Sequence, residues 1–383
     1  MKIISASALL FLPVLLAAAP LPAKPPPKPA AKSSAVKPPV KAPAKVATQA
    51  AAAPKAGNFN TAKTYPAQTI AFSNGVVMTT QEYAHLPGFR PLMVDLYLPA
   101  GKSFPRPGLI FVHGGGWFTG DSRHGGTFGD FPGLLASIAA RGFVVASIDY
   151  RLSGEAHFPA AVQDVKSAIR WLSQHAGEYN VDNTRIALWG AAAGGHLAAL
   201  AGVSCGVTSL EPDAGADPKP ASDCVQAVID WYGISDLETR FTDFGKATPD
   251  KSEEGALLGC EPALCPVTVA HNASPLAYIE ATAPPFLIQH GAADTNVSLK
   301  QSQRLYDALR AKNVPAELVV YPGVNHNFAP VANTIPGAVD ETVNREAVEK
   351  LEAFLDATFP KKPAAASSKA APAKPAPSKG LPY

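Results

Sequence analysis

Leu188-Trp189-Gly190-Ala191-Ala192-Ala193-Gly194-Gly195-His196-Leu197 is the stretch on which the reading of this chain turns. An apolar run, Ile186 to Trp189, enters a Gly-x-x-x-Gly turn that opens onto helical spacing from Gly195 to Val203. That is the frame Gly-x-Ser-x-Gly, in which a strand presents a nucleophile at the first turn of a helix, with alanine at the centre. The glycines have a physical reason. The turn is so sharp that a Cβ at 190 or 194 would meet neighbouring backbone. The strained central residue is held where the positive end of the helix dipole favours anionic chemistry. Here that residue is Ala192, and no Ser, Thr or Cys lies within the turn.

Working outward, short apolar runs alternate with longer helical patterns. Leu109 to Val112, Phe143 to Ile148, Ala227 to Ile229, Phe286 to Ile288 and Leu318 to Tyr321 fit buried parallel strands. Leu92 to Leu98 alternates in part and precedes Pro99, as an edge strand would. Ala160 to His175, Leu299 to Lys312 and Thr342 to Thr358 have helical spacing. A β-α-β-α succession predicts a mostly parallel sheet with helices on both faces, the α/β class.

Three further motifs sit at the ends of those strands. His113-Gly114-Gly115-Gly116-Trp117 directly follows the first parallel run. Consecutive glycines let bare N–H groups point into a cleft and hold the oxyanion of a tetrahedral acyl intermediate. Gly115 and Gly116 are the candidates, with the N–H of Ala193 as a further donor. Asp294, in Gln289-His290-Gly291-Ala292-Ala293-Asp294, and His326, in Tyr321-Pro322-Gly323-Val324-Asn325-His326, each follow a strand. Turn, acid and histidine thus come in one chain order. A lone Asp or His in a loop is usually a solvated polar residue; the pair in this order is not.

These motifs carry a resemblance. From Leu109 to Phe328 the chain resembles α/β-hydrolases of the hormone-sensitive-lipase and feruloyl/acetyl-xylan-esterase type. It shares HGGGW, Asp149-Tyr150-Arg151-Leu152, Phe158-Pro159-Ala160 with Asp164, WGAxAGGHLAAL, Asp230-Trp231-Tyr232-Gly233 and HGxxD. The resemblance implies the α/β-hydrolase fold and carboxylic ester hydrolysis through an acyl-enzyme, with no cofactor and no metal. Asp294 would orient His326, and His326 would deprotonate a serine at position 192. Arg151, Asp164 and His196 read as structural positions. The segment Trp231 to Ser274 reads as a small lid-like insertion, with Trp117, Trp231 and Tyr232 as candidate substrate contacts. The expected ligand is a small-molecule or polysaccharide ester.

The departure is the alanine. Loss of such a nucleophile costs on the order of a million-fold in turnover, or roughly 8 kcal/mol of barrier. Ser204 and Cys205 come about three helical turns later, out of reach. Two origins stay open: a Ser→Ala replacement in an esterase, or a natural pseudoenzyme that binds an ester or glycan without turning it over. A peptidase of the prolyl-oligopeptidase kind is disfavoured, because no propeller-sized region precedes the domain.

Composition divides the rest. Lys2, an apolar run from Ile3 to Ala19 and small residues up to Ala23 read as a signal peptide, residues 1–23, so export to a periplasm or medium is expected. Residues 24–66 and 360–383 are rich in Lys, Ala and Pro and read as disordered tails around a domain at 67–359. The chain's ends hold fourteen of the 33 basic residues and no acidic one, leaving the domain 19 against 31, a net charge of −12. The tails could touch an anionic envelope surface. No basic stripe with interleaved aromatics marks the domain, which argues against nucleic acid. The four cysteines fall as two close pairs, read as Cys205–Cys224 and Cys260–Cys265 in an oxidising compartment. No CxxC or CxxH spacing points to a metal.

Overall fold

The apolar runs become strands because β-branched and aromatic side chains fit a pleated surface packed on both sides. The computed structural model describes residues 65–360 apart from 102–103, 127, 213–220, 246–251, 262 and 332–340. The expected signal peptide and most of both tails lie outside the described residues, and no described helix is long and apolar enough to cross a membrane. In chain order the elements begin β1 (Thr69–Ala71), β2 (Val77–Ala84), β3 (Leu92–Leu98), β4 (Arg106–Val112), α1 (Phe131–Ala140) and β5 (Val144–Ile148). Next come α2 (Ala160–Gln174), α3 (Ala176–Tyr179), β6 (Val181–Ala191), α4 (Ala193–Val203) and β7 (Ala227–Trp231). The chain continues through α5 (Glu253–Leu258), α6 (Val267–Asn272), β8 (Phe286–Gly291), α7 (Leu299–Ala311), β9 (Ala316–Tyr321) and α8 (Glu341–Thr358).

The strands form one sheet in the order β1-β2-β3-β5-β4-β6-β7-β8-β9. From β5 to β9 every pairing is parallel; β1, β2 and β3 add antiparallel strands at one side. This is the α/β-hydrolase fold, with one correction. Leu92–Leu98 is not an edge strand but third in order, because β1 and β2 cover it. The polar face of β2, with Thr79, Gln81 and Glu82 partly exposed, hides that strand from a search for apolar runs.

Period-two alternation sorts the sheet between two cores. Ile110, Val112, Leu188, Val228 and Ile288 pack with α2, α4 and α7 on one face. Leu109, Phe111, Trp189, Ile229 and Leu287 pack with α1 and α8 on the other. On α8, Ala347, Leu351 and Leu355 recur every fourth residue and are fully buried. The α4 sequence AGGHLAALAGV has no polar face, and all eleven of its residues are buried. Its small side chains let it lie close against the sheet, which is what carries position 192 to the strand ends. Both expected disulfides, Cys205–Cys224 and Cys260–Cys265, are present.

Candidate active site

The turn between β6 and α4 has the strain its sequence implies. Ala192 lies at φ 53°, ψ −116°, a region an L-residue enters only when its surroundings force it. Two hydrogen bonds do so: Ala192 N–H donates to Trp231 O at 2.8 Å, and His196 N–H donates to Ala192 O at 3.0 Å. A Cβ at Gly190 would strike the carbonyl of Gly194, and one at Gly194 would strike that of Val112. Glycine is required at both places.

The loop after β4 is equally constrained. Gly115, Gly116 and Trp117 all have positive φ, at 96°, 61° and 58°. A hydrogen bond from Thr119 N–H to Gly115 O, 3.0 Å, closes the turn, and a Cβ at Gly115 would meet the Thr119 carbonyl. His113 beneath it is fully buried and stacked on Tyr150, and burial lowers its pKa to about 4.

Asp294 follows β8 and His326 follows β9, and the parallel pairing of those strands brings the two loops side by side. Asp294 Oδ2 lies 2.7 Å from His326 Nδ1, while its Oδ1 accepts from the N–H groups of Asn296 and Val297, both at 2.8 Å. Burial alone would raise the Asp294 pKa; hydrogen bonds from His290 and His326 override it and hold the carboxyl well below its usual range. Asn325 ties the two loops together, its Oδ1 accepting from His326 N–H at 2.7 Å and Thr295 N–H at 2.9 Å. With Nδ1–H given to Asp294, His326 presents Nε2 as the free basic nitrogen.

Gly115, Gly116, Trp117, Ala192, Ala193 and His326 line one cleft of about 650 Å³. All the acyl-transfer positions expected from sequence border this cleft except Asp294, which stands behind His326. Of the three aromatics expected to contact substrate, Trp117 borders the cleft but is 1% exposed. Trp231 and Tyr232 stand behind it. Trp231 donates to Gln289 Oε1 at 2.6 Å in the core, and Tyr232 packs edge-on to His326 with ring centres 4.8 Å apart. Trp231 is the last residue of β7 and Tyr232 the next along the chain, and both side chains are buried in the core.

The segment 231–274 does reach the cleft, through Phe241 and through Arg240, Phe244, Glu253 and Glu254, which no sequence motif marks. Arg240 pairs with Glu254 at 2.8 Å. Side chains scattered over a loop and a short helix give no signal until folding brings them to a site. His290 was a motif letter only; its Nδ1 lies 2.7 Å from Ser302 Oγ and its Nε2 3.3 Å from Asp294 Oδ2. Arg151 and Asp164 form a buried pair at 2.7 Å and do not line the cleft. Cys205, Asp223 and Cys224 also lie together, but both sulfurs are committed to the disulfide, and Asp223 accepts from Lys166 at 2.7 Å.

Comparison with known proteins places this geometry. The family model described as BD-FAE matches residues 94–309. The esterase LipC of Mycobacterium tuberculosis is 35% identical over 240 residues, 58% of this chain and 53% of that protein. The chain spans about half the length of these curated relatives. Among solved structures, a truncated carbohydrate esterase from gut microbiota superposes with a TM-score of 0.60 at 26% identity, over 75% of this chain and 98% of that one. A bifunctional GH43-CE protein of Bacteroides eggerthii gives 0.60 at 30% identity, over 75% and 38%.

Proposed function

The chain belongs to the BD-FAE family of α/β-hydrolases, and from that premise we propose that its cleft is a carboxylic ester hydrolysis site lacking its nucleophile. The observation that carries this reading is the Asp294–His326 pair at 2.7 Å, set in one cleft with the strained residue 192 and the Gly115–Gly116 loop. A serine at 192 would give its proton to His326 Nε2 and attack the ester carbonyl carbon. The N–H groups of Gly115, Gly116 and Ala193 would hold the oxyanion. The ester C–O bond then breaks, His326 returns the proton to the leaving alcohol, and water releases the acyl group by the same steps.

As it stands the chain has no side-chain oxygen at 192, forms no acyl-enzyme and is nearly inactive. Its natural ligands are small acyl esters or acyl groups carried on polysaccharide; the carbohydrate-esterase neighbours support that class. The two disulfides support export to an oxidising compartment. A second reading, a non-catalytic ester- or glycan-binding protein, is favoured by Ala192 itself, since the cleft around it is otherwise complete.

The test is to assay the chain and its Ala192→Ser variant on p-nitrophenyl acetate. Hydrolysis by the variant and none by the parent supports ester-cleaving machinery that lacks one atom. If the variant is also inactive, the reading of Asp294 and His326 as acid and base fails.

A further inference from the structure

Glu253 begins the six-residue helix α5 and lies exposed on the cleft wall. A Cβ built at Gly116 would run into its carboxyl group, so this carboxylate rests on the very glycine expected to face the oxyanion. The other charges facing the cleft do not cancel it. Arg240 is bound to Glu254 at 2.8 Å, and His326 is held by Asp294. Among the described residues Glu253 has no ion-pair partner. Setting aside the Asp294–His326 pair, the described residues lining the cleft set two carboxylates against one guanidinium, a net negative charge.

A carboxylate beside an oxyanion site works against the negative charge that develops there. Its exposure lets water screen it, but any further negative charge on the ligand adds to the repulsion. A neutral ligand meets a different surface. Its hydroxyl groups can donate to the Glu253 oxygens, and its apolar parts can lie on Phe241 and Phe244. Those two rings have the Arg240 guanidinium 5.6 and 5.8 Å from their centres.

We infer that Glu253 is a specificity-determining charge filter. It turns away esters bearing a carboxylate or phosphate near the scissile carbonyl and admits neutral, hydroxyl-bearing ones. This rests on the reading of the cleft as an ester site, and it concerns binding rather than turnover.

The parent chain suits the test because Ala192 leaves a bound ester intact. Calorimetric titration would compare two matched pairs: p-nitrophenyl pentanoate against the p-nitrophenyl monoester of succinate, and methyl 4-acetoxybenzoate against 4-acetoxybenzoate. In at least one pair the neutral member binds roughly tenfold more tightly at low salt, the order expected of one charge contact in a wetted cleft, and the gap narrows as salt rises. Glu253→Gln closes most of that gap and Glu253→Lys reverses it, with circular dichroism checking that both fold. A neutral-to-anionic ratio that shifts by less than about twofold in both pairs, or no saturable binding of either pair, overturns the filter. Were neither variant to fold, the salt dependence in the parent would still decide. An inactive Ala192→Ser variant alongside a ratio that responds to Glu253 sinks the proposed hydrolysis but not the filter; an active one with an unmoved ratio does the reverse.

Discussion

Trp117 donates its indole N–H to Nδ1 of His196 at 3.0 Å, and His196 in turn donates from Nε2 to Ala273 O at 2.7 Å. One neutral imidazole therefore ties the glycine loop after β4 to the first turn of α4 and to the end of the 231–274 segment. Both rings are almost fully buried, and burial lowers the His196 pKa to about 4, which keeps it uncharged. Replacing His196 by Leu strands one donor and one acceptor in the core. The expected cost is about 2–6 kcal/mol, from about 1–3 per stranded group. Urea denaturation of the variant measures it; a loss below about 1 kcal/mol would mean the tie contributes little.

Stability should also depend on Asp149. Burial raises its pKa to about 7, and one of its oxygens has no hydrogen-bond partner among the described residues. A folded pKa above the unfolded value near 4 means the folded state holds the proton more tightly, so stability is fullest at low pH and falls as pH rises through about 7. His113 and His196 act in the opposite sense. Their folded values of about 4 lie below the ordinary 6.5, so their contribution is full above pH 6.5 and lost as pH falls towards 4. Asp149→Asn removes only the first effect. Its stability relative to the parent should rise by up to about 1.4 kcal/mol per pH unit between pH 4 and 7. Urea midpoints at pH 4, 6 and 8 check this, and a difference that does not change with pH refutes it.

What the sequence disclosed follows from how local the cause was. Gly190, Gly194 and the HGGG loop are legible because a sharp turn leaves its requirement in adjacent letters, and the apolar runs are legible because buried strands need them. The first two strands were not, since β2 is polar on one face and β1 is only three residues long. Trp231 and Tyr232 read equally well as pocket wall or core, and only the direction of the backbone at the end of β7 decides. Glu253 could not have been found at all. Its meaning comes from Gly116, 137 positions away, and nothing in either segment names the other.

Gly190→Ala offers a direct test of the turn. The added Cβ would collide with the Gly194 carbonyl, which is backbone and cannot rotate aside as a flexible side chain could. The β6–α4 junction would have to open, loosening the packing of an entirely buried helix. A loss of about 3 kcal/mol or more, or failure to accumulate folded protein, is expected. Ala191→Gly, one residue along and free of any such demand, is the matched control. Equal stability of the two variants would show the turn to be looser than its geometry implies.

The Asp294–His326 contact makes its own demand once a nucleophile is present. In the Ala192→Ser chain, Asp294→Asn keeps the shape but offers an amide where His326 Nδ1 needs an acceptor that carries charge. The imidazole can then settle in the wrong tautomer, and the imidazolium formed during proton transfer loses its counter-charge. Turnover of p-nitrophenyl acetate should fall by on the order of 10⁴, with KM changing little because Asp294 stands behind His326 rather than against the ester. Backbone N–H groups of Asn296 and Val297 would still hold one oxygen of residue 294, so the loop should keep its position. A fall of less than about tenfold would mean that Tyr232 and Asn325 are enough to hold His326 in place, and that the carboxylate serves the loop more than the chemistry.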